Sequence, residues 1–253
     1  PVLIFSHGRR GFGQYSFFLS EFLARNGWIV ASVDHVGDRL QNEDTPDDIY
    51  SLRPQDMSAL LDHLQALPST HSLHGLISDK IAVAGHSFGG YTALALSGGR
   101  FDVDGLQSEC ASEDGGGSFC RNLALDRPLF ERGFRDPRIK VAIPMASGNV
   151  SLFGTGEGPK GAGLGEIEIP VMVMTGARDR SNSNEADGTP IWNALRGTHH
   201  RRVDILEGGH FTFTSICLIS GALGVDNGCD DSFIDLDSAH AAVERFALAF
   251  LLR

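Results

Sequence analysis

The sequence predicts an α/β protein with a mostly parallel sheet and helices on both of its faces. Two observations carry this prediction. Short apolar runs alternate with longer amphipathic stretches along the chain, and the first of these runs, residues 2–5, is apolar on four successive residues. Strands buried on both faces have this continuous apolar character, and their alternation with helices is typical of βαβ units. The 253 residues are enough for a single domain, 1–253, with one core.

The predicted strands are apolar runs that end at turn or loop residues. They cover residues 2–5, 28–33, 80–84, 139–144, 171–175 and 202–206.

The predicted helices have apolar stripes at helical spacing together with start or stop signals. The first ends at Asn26-Gly27, and its stripe consists of Tyr15, Phe18, Leu19, Phe22 and Leu23. Pro54 is predicted to open the second helix and Pro68 to close it. Residues 34–50 are polar and are predicted to form a long loop, and further helices are expected over 87–97 and 238–252.

Two stretches interrupt the alternation and are interpreted as insertions, at about 98–137 and 147–169. The first contains Gly115-Gly-Gly117 and two cysteines, and the second is Gly-rich without periodicity. Long segments of this kind in a compact domain are usually functional loops or lids. We therefore expect them to shape a binding pocket.

Composition and charge exclude several classes of protein. Hydrophobic residues make up 42% and charged residues 21%, which is ordinary globular usage and excludes disorder and coiled coil. The net charge of −11 disfavours nucleic acid and anionic membrane surfaces as partners. No apolar run approaches the roughly 20 residues of a membrane-spanning helix. Because the chain opens in a core strand, we expect edge strands and a signal peptide to precede Pro1.

The four cysteines fall into two pairs with short separations in loop-like surroundings. An even count in such segments predicts two local disulfides, Cys110–Cys120 and Cys217–Cys229. These would place the protein outside the cytosol, in a secreted or periplasmic location. The alternative is four free thiols in a cytosolic enzyme. A C-x-x-C spacing is absent, so no metal site is expected.

The strongest motif is Gly85-His-Ser-Phe-Gly-Gly90, which follows a predicted strand and opens a predicted helix. G-x-S-x-G in that context is the nucleophile elbow of a serine hydrolase. The turn is strained, so flanking glycines are needed to avoid clashes. The helix N-terminus behind Ser87 would stabilise negative charge as a tetrahedral intermediate forms.

The general base and its orienting acid are sought downstream of Ser87, in the chain order Ser, Asp, His. His210 lies just after the last predicted strand, in Gly-Gly-His-Phe, and is the candidate base. Asp179 follows the strand 171–175 and a Gly turn, and would orient His210 and offset its charge. Asp187, in the same loop, is the competing acid. Asp34 precedes the serine and is interpreted as a structural hydrogen-bonding residue.

Most of the ten histidines have no such context. Six are expected to be solvated on helix or loop surfaces: His63, His71, His74, His199, His200 and His240.

Two backbone N–H groups must form an oxyanion hole opposite the nucleophile. One should come from Phe88, which follows the nucleophile, and the other from the loop after the first strand, Ser6-His-Gly-Arg-Arg-Gly11. Within that loop Arg9 N–H is the prediction and Arg10 N–H the alternative. Their side chains would either attract anionic substrate groups or face solvent.

Three blocks of residues resemble the platelet-activating-factor acetylhydrolase and dienelactone-hydrolase-like branch of the α/β-hydrolases, and resemble bacterial cutinase-type polyester hydrolases more loosely. The blocks are Phe5-Ser-His-Gly8, Gly27-Trp-Ile-Val-Ala-Ser-Val-Asp-His35 and the motif around Ser87. The resemblance covers residues 2–97 and is anchored afterwards by Asp179 and His210. It implies the α/β-hydrolase fold and a serine hydrolase of short acyl esters that needs no cofactor. Dienelactone hydrolases proper use a cysteine where this chain has Ser87, so their substrate is not expected here.

These observations predict a serine carboxylesterase that hydrolyses short- to medium-chain acyl esters through an acyl-enzyme. Small-molecule or polymeric esters are the expected partners, no cofactor is expected, and the oligomeric state is left open. The alternatives of the same chemistry are a platelet-activating-factor acetylhydrolase-like phospholipase and a polyester hydrolase. The alternative of another class is a catalytically inactive α/β-hydrolase that serves as a binding module.

Overall fold

The structure, a computed structural model, describes residues 1–40, 45–112, 117–154, 161–219 and 226–253. Six strands of these residues form one sheet, and every pairing in it is parallel. The strands are β1 (Val2–Ser6), β2 (Ile29–Ser32), β3 (Ile81–His86), β4 (Ile139–Met145), β5 (Met172–Gly176) and β6 (Arg201–Ile205). The sheet order is β2-β1-β3-β4-β5-β6, which confirms the predicted parallel α/β class.

Helices connect the strands and cover the sheet. They are α1 (Phe17–Arg25), α2 (Ile49–Gln65), α3 (Phe88–Leu96), α4 (Val103–Ser112), α5 (Ser118–Arg132), α6 (Thr189–Ala194) and α7 (Leu236–Leu251). Shorter 3₁₀ turns lie at Val150–Phe153, Ala162–Glu166, His210–Phe213 and Ile216–Ile219, and a π-helical turn at Asn184–Gly188. Among the described residues, no helix is long and apolar enough to cross a membrane.

The core lies on both sides of the sheet because β-strand side chains point alternately to opposite faces. In β1, Val2 and Ile4 join the core on the α2 and α3 side, whereas Leu3 and Phe5 join the core on the α1 and α7 side. Every residue of β1 is buried. A strand covered on both faces explains the continuous apolar runs in the sequence.

Helix α2 begins at Ile49, so the prediction that Pro54 opens this helix is wrong, and the loop predicted over 34–50 ends earlier. Pro54 lies inside the helix and lacks the N–H that would bond to the carbonyl of Tyr50. That carbonyl instead accepts a hydrogen bond from Tyr91 Oη over 3.1 Å. A tertiary contact therefore replaces the missing helical bond and makes the proline tolerable.

The insertion at 98–137 is mostly helical rather than a loop, since it contains α4 and α5. Cys110 and Cys120 join the two helices with Cα atoms 5.6 Å apart. Asn122 in α5 exchanges two 3.0 Å hydrogen bonds with Ser51 in α2, which fixes α5 against the core. Of the predicted Gly115-Gly-Gly117 run, positions 115 and 116 lie outside the described residues. So do 155–160 of the second insertion, whose described parts contain two 3₁₀ turns.

The sheet order places two loops side by side at the carboxyl edge of the sheet. From β1 the chain moves to β2 on one side and then returns to β3 on the other side. Open α/β sheets bind ligands at this kind of reversal, beyond the carboxyl ends of the strands. The loop after β1 contains Gly8 and Arg9, and the turn after β3 contains Ser87.

Candidate active site

Ser87 lies on the turn between β3 and α3 with φ 55° and ψ −117°. Non-glycine residues rarely adopt such a backbone, and it is typical of strained functional turns. Neighbouring glycines make the turn possible: a Cβ on Gly85 would collide with Gly89 O, and a Cβ on Gly89 with Ser6 O. Within residues 81–90, Ser87 is half-buried while its neighbours are buried. The turn therefore opens towards solvent at the serine.

His210 and Asp179 meet across the carboxyl edge of the sheet. His210 Nδ1 lies 2.8 Å from Asp179 Oδ2, and the two side chains are only 6% and 0% exposed. The other carboxylate oxygen accepts hydrogen bonds from the backbone N–H groups of Ser181 at 2.7 Å and Asn182 at 2.9 Å. With Nδ1–H donated to the carboxylate, His210 Nε2 keeps its lone pair and can act as a base.

Asn182 is a site residue that the sequence did not indicate. Its Nδ2 donates to Ala146 O over 2.7 Å and lies 3.5 Å from Ser87 Oγ. In the described part of the chain, no hydrogen bond joins Ser87 Oγ to His210 Nε2. The structure thus brings His210 to Asp179, and holds the Ser87 hydroxyl beside Asn182.

The loop that carries His210 is tied to the turn of Ser87 through His86. His86 is completely buried, and its Nε2 donates to the backbone carbonyl of His210 over 2.8 Å. Burial and the neighbouring His210 lower the pKa of His86 well below its ordinary value, so the ring is neutral. Its Nδ1 has no hydrogen-bond partner among the described groups and faces Gly8, where a Cβ would lie 3.0 Å away.

Asn227 provides a second tie to the same loop. Its Oδ1 accepts hydrogen bonds from His210 N at 3.2 Å and Arg180 N at 3.4 Å. One side-chain amide therefore links the loop that carries Asp179 to the loop that carries His210. The disulfide between Cys217 and Cys229, with Cα atoms 5.0 Å apart, closes a loop of the chain that contains Asn227. Both disulfides are those that the sequence predicts.

The candidate oxyanion loop lies directly against Ser87, because a Cβ on Gly8 would be 3.4 Å from Ser87 Cβ. Arg10 N–H donates to Asp38 Oδ1 over 2.9 Å, so the alternative donor is already engaged. Among the described residues, no hydrogen bond is donated by Arg9 N–H or Phe88 N–H. These two groups are free to serve an oxyanion. The Arg9 guanidinium is exposed, and its Cζ lies 5.3 Å from the Phe88 ring centroid.

A buried ion pair lies behind this loop, and sequence reasoning missed it. Arg53 and Asp38 are both fully buried, with Arg53 Nη2 2.5 Å from Asp38 Oδ2. Burial lowers the pKa of Arg53 to about 10, against the opposing effect of Asp38. Burial also acts to raise the pKa of Asp38, but the charge and hydrogen bonds of Arg53 outweigh it and hold that pKa below its usual value. Both groups are therefore charged at neutral pH.

Ser6, His35 and Asp56 form a hydrogen-bonded serine–histidine–aspartate row, separate from Ser87, His210 and Asp179. Ser6 Oγ lies 2.9 Å from His35 Nε2, and His35 Nδ1 lies 2.7 Å from Asp56 Oδ2. Ser6 and His35 are 0% exposed, so a substrate cannot reach this hydroxyl. Burial and Arg53 lower the pKa of His35 well below its ordinary value. These three side chains are part of the packing beneath the candidate oxyanion loop.

The competing candidates lie elsewhere. Asp187 is in the π-helical turn, where its Oδ1 accepts from Val150 N at 3.5 Å. Asp34 Oδ1 accepts from Gly13 N at 2.7 Å, a structural bond as expected.

The expectation that six histidines are solvated is wrong for His200. That residue is 3% exposed, and its Nδ1 accepts a hydrogen bond from Val171 N while its Nε2 donates to Arg196 O. His240 is half-buried and stacks on Phe18 with ring centroids 3.5 Å apart. The other four are exposed: His63, His71, His74 and His199.

Comparison with known proteins bears on the fold. No family model matches the sequence, and no curated protein matches it. Among solved structures, the chain is similar to Est1E from Butyrivibrio proteoclasticus with ferulic acid bound. The TM-score is 0.57 at 16% sequence identity, over 100% of this chain and 90% of that one. Together with the six-stranded parallel sheet and the strained Ser87 turn after β3, this similarity shows that the chain has the α/β-hydrolase fold.

Proposed function

We propose that the protein is a serine carboxylesterase that hydrolyses short- to medium-chain acyl esters. The observation that carries this proposal is the buried 2.8 Å contact between His210 Nδ1 and Asp179 Oδ2, on loops that meet beside the strained turn of Ser87. A histidine oriented by a carboxylate next to a half-buried, strained serine is an arrangement for nucleophilic catalysis.

In the proposed mechanism, Ser87 Oγ attacks the ester carbonyl while His210 Nε2 takes the hydroxyl proton. The resulting oxyanion is held by Arg9 N–H and Phe88 N–H, and Asp179 offsets the charge of the imidazolium. The C–O bond to the alcohol then breaks as His210 returns its proton to the leaving oxygen. Water, deprotonated by the same histidine, attacks the acyl-enzyme and releases the acid.

The resting position of the Ser87 hydroxyl requires one movement before attack. Its contact with Asn182 Nδ2 is long, at 3.5 Å, and therefore weak. Rotation about the Cα–Cβ bond of Ser87 would bring the hydroxyl to His210 Nε2 when a substrate enters. Catalytic hydrogen bonds are commonly incomplete before substrate binds.

Aromatic rings cluster around Phe88, the residue that follows Ser87, and we expect an apolar or aromatic acyl group. The Tyr50 and Phe88 rings meet edge to face with centroids 4.9 Å apart, and Tyr50 also contacts Phe119 of α5. Est1E, a solved structure with a similar fold, has ferulic acid, an aromatic acid, bound. An acetylhydrolase-like phospholipase or a polyester hydrolase would use the same chemistry. Two disulfides are what a secreted or periplasmic enzyme would contain, and we propose that location.

A panel of esters tests the proposal. p-Nitrophenyl esters from acetate to palmitate, methyl ferulate, a short-chain acetyl phospholipid and a polyester film are offered to wild type, Ser87→Ala and His210→Ala. We expect the highest kcat/KM on soluble short- to medium-chain or aromatic esters, and losses of several orders of magnitude in both variants. Activity that rises only above the aggregation threshold of a lipid, or on film, would favour the phospholipase or the polyester hydrolase. A folded wild type that hydrolyses none of these esters would contradict the proposal.

A further inference from the structure

The Arg53 guanidinium makes more contacts with the oxyanion loop than an ion pair alone requires. Its Nη1 donates to His7 O at 2.5 Å, and its Nη2 donates to Gly8 O at 3.1 Å. Two successive carbonyls of the loop after β1 therefore point at one buried cation. The same Gly8 carbonyl accepts from His7 Nδ1 at 2.7 Å and from Gly11 N–H at 3.1 Å.

The direction of these carbonyls fixes the direction of the neighbouring N–H groups. The chain has no cis peptide bonds among its described residues, and in a trans peptide unit the C=O and N–H bonds point to opposite sides. Because Gly8 O points at Arg53, Arg9 N–H must point away from it. Ser87 lies against this peptide, 3.4 Å from the position of a Cβ on Gly8.

Asp38 orients the guanidinium of Arg53 and also binds Arg10 N–H, the alternative oxyanion donor. Asp38 Oδ2 accepts from Arg53 Nε at 3.2 Å and from Nη2 at 2.5 Å, while Asp38 Oδ1 holds Arg10 N–H at 2.9 Å. Arg53 Cζ also lies 4.9 Å from the ring centroid of Phe88, the residue whose N–H is the second proposed donor. One side chain thus contacts the Gly8–Arg9 peptide, through Gly8 O, and the ring of Phe88, the two places that contribute the proposed donors.

We infer that Arg53 is a positioning residue, which holds the Gly8–Arg9 peptide with its N–H directed to the oxyanion that forms at Ser87. This inference rests on the proposed esterase function. Arg53 does not touch the substrate, since it is fully buried. It contributes by fixing the hole before the reaction, so that no reorganisation is needed as negative charge develops.

The test separates positioning from simple stability. Arg53→Met leaves Asp38 buried without its partner and so threatens folding. Arg53→Met/Asp38→Asn removes both charges, while the amide introduced at position 38 keeps an oxygen for Arg10 N–H. We measure urea unfolding, kcat and KM for p-nitrophenyl butyrate, and the inhibition constant of a trifluoromethyl ketone, whose tetrahedral adduct places an oxyanion in the hole.

For the folded double variant we expect kcat to fall by about 100-fold, the loss seen when an oxyanion-hole donor is removed, with little change in KM. The inhibition constant of the trifluoromethyl ketone should rise by a similar factor. Arg53→Lys should lose activity as well, because an ammonium cannot reproduce the planar fork that reaches both carbonyls. The matched control is Arg138→Met, which breaks an ion pair with the buried Asp136, 2.6 Å long, at the opposite edge of the sheet. It should lose stability and retain kcat.

A folded double variant with wild-type kcat and inhibitor affinity would overturn the inference and leave the esterase proposal intact. An inactive wild type would instead overturn the esterase proposal. In that case a crystal structure of the double variant still decides the inference. A Gly8–Arg9 peptide plane that is rotated, or present in two orientations, supports it, and a peptide plane in the wild-type orientation overturns it.

Discussion

His86 Nε2 donates a 2.8 Å hydrogen bond to the backbone carbonyl of His210, so the residue before the proposed nucleophile holds the loop of the proposed base. The two imidazole rings also contact each other, with centroids 4.7 Å apart. The variable position in the Gly-His-Ser motif therefore has a definite structural role in this chain. It couples the turn after β3 to the 3₁₀ turn after β6.

His86→Ala should lower both activity and stability. The His210 carbonyl would lose its partner, and an unsatisfied buried acceptor costs about 1–3 kcal/mol. His210 would also be less precisely placed, so we expect kcat to fall more than KM rises. His86→Gln, which keeps an N–H donor, should recover part of both losses. Steady-state kinetics and urea unfolding check this, with the exposed His63→Ala as control; equal effects of the two alanine variants would contradict it.

The choice between the two acids is tested by Asp179→Asn and Asp187→Asn. Asp179 is the carboxylate that meets His210, so an amide there would favour the wrong histidine tautomer and lower kcat by about four orders of magnitude. Asp187→Asn should leave kcat close to wild type. Measurements of kcat on one p-nitrophenyl ester decide between them, and a larger loss in Asp187→Asn would reverse the assignment.

The two disulfides should differ in their effect on activity. Their sequence separations of 10 and 12 residues predict a loss of about 3 kcal/mol for each Cys→Ser pair, from loop entropy in the unfolded chain. Cys217→Ser/Cys229→Ser should also lower kcat, because that bridge closes the loop that contains Asn227, whose Oδ1 accepts a hydrogen bond from His210 N. Cys110→Ser/Cys120→Ser should spare kcat for small esters. Equal kcat losses in the two double variants would contradict this difference.

Stability should fall as the pH drops below about 6.5. Burial, with the charge of Arg53, lowers the pKa of His7 to about 3 and the pKa of His35 well below its ordinary value; burial and His210 do the same for His86. Below pH 6.5 the unfolded chain binds protons at these positions and the folded chain does not. Proton binding therefore stabilises the unfolded state, and the free energy of unfolding falls. These three groups alone contribute up to about 4 kcal/mol per pH unit to the slope, and burial lowers the pKa values of His200 and His240 in the same direction.

Urea unfolding between pH 8 and pH 5 measures that slope. His86→Gln should reduce the slope by the contribution of one proton, about 1.4 kcal/mol per pH unit. His63→Gln should leave the slope unchanged. A free energy of unfolding that stays constant from pH 7 to pH 5 would show that these rings are not held neutral.

The strands and the order of the three candidate residues could be predicted from the sequence because each feature is local. Buried parallel strands are apolar along their length, and Ser87 and Asp179 each follow such a strand, β3 and β5. His210 follows β6, which is charged at several positions and only partly buried, but it still comes after the last strand of the described residues. The turn glycines around Ser87 are equally local, since Gly85 and Gly89 have no room for a Cβ.

The support for the site could not be predicted because it depends on tertiary register. Arg53 directly precedes Pro54, and a helix that starts at that proline leaves Arg53 outside α2. Its partner Asp38 lies in a polar segment that is typical of solvent-facing loops. Asn182 follows β5 and Ser87 follows β3, and they approach each other because β3, β4 and β5 are consecutive in the sheet. No pattern in the chain indicates that contact.

Active-site titration with a fluorophosphonate tests the central claim most directly. Ser87 in wild type should be labelled with one phosphonyl group per chain, identified by peptide mass mapping. Labelling should be abolished in Ser87→Ala and strongly slowed in His210→Ala, because the serine is activated by that base. A well-folded wild type that takes up no label, or a Ser87→Ala variant labelled as fast as wild type, would contradict the account. In the first case, a binding module without catalysis would become the better description.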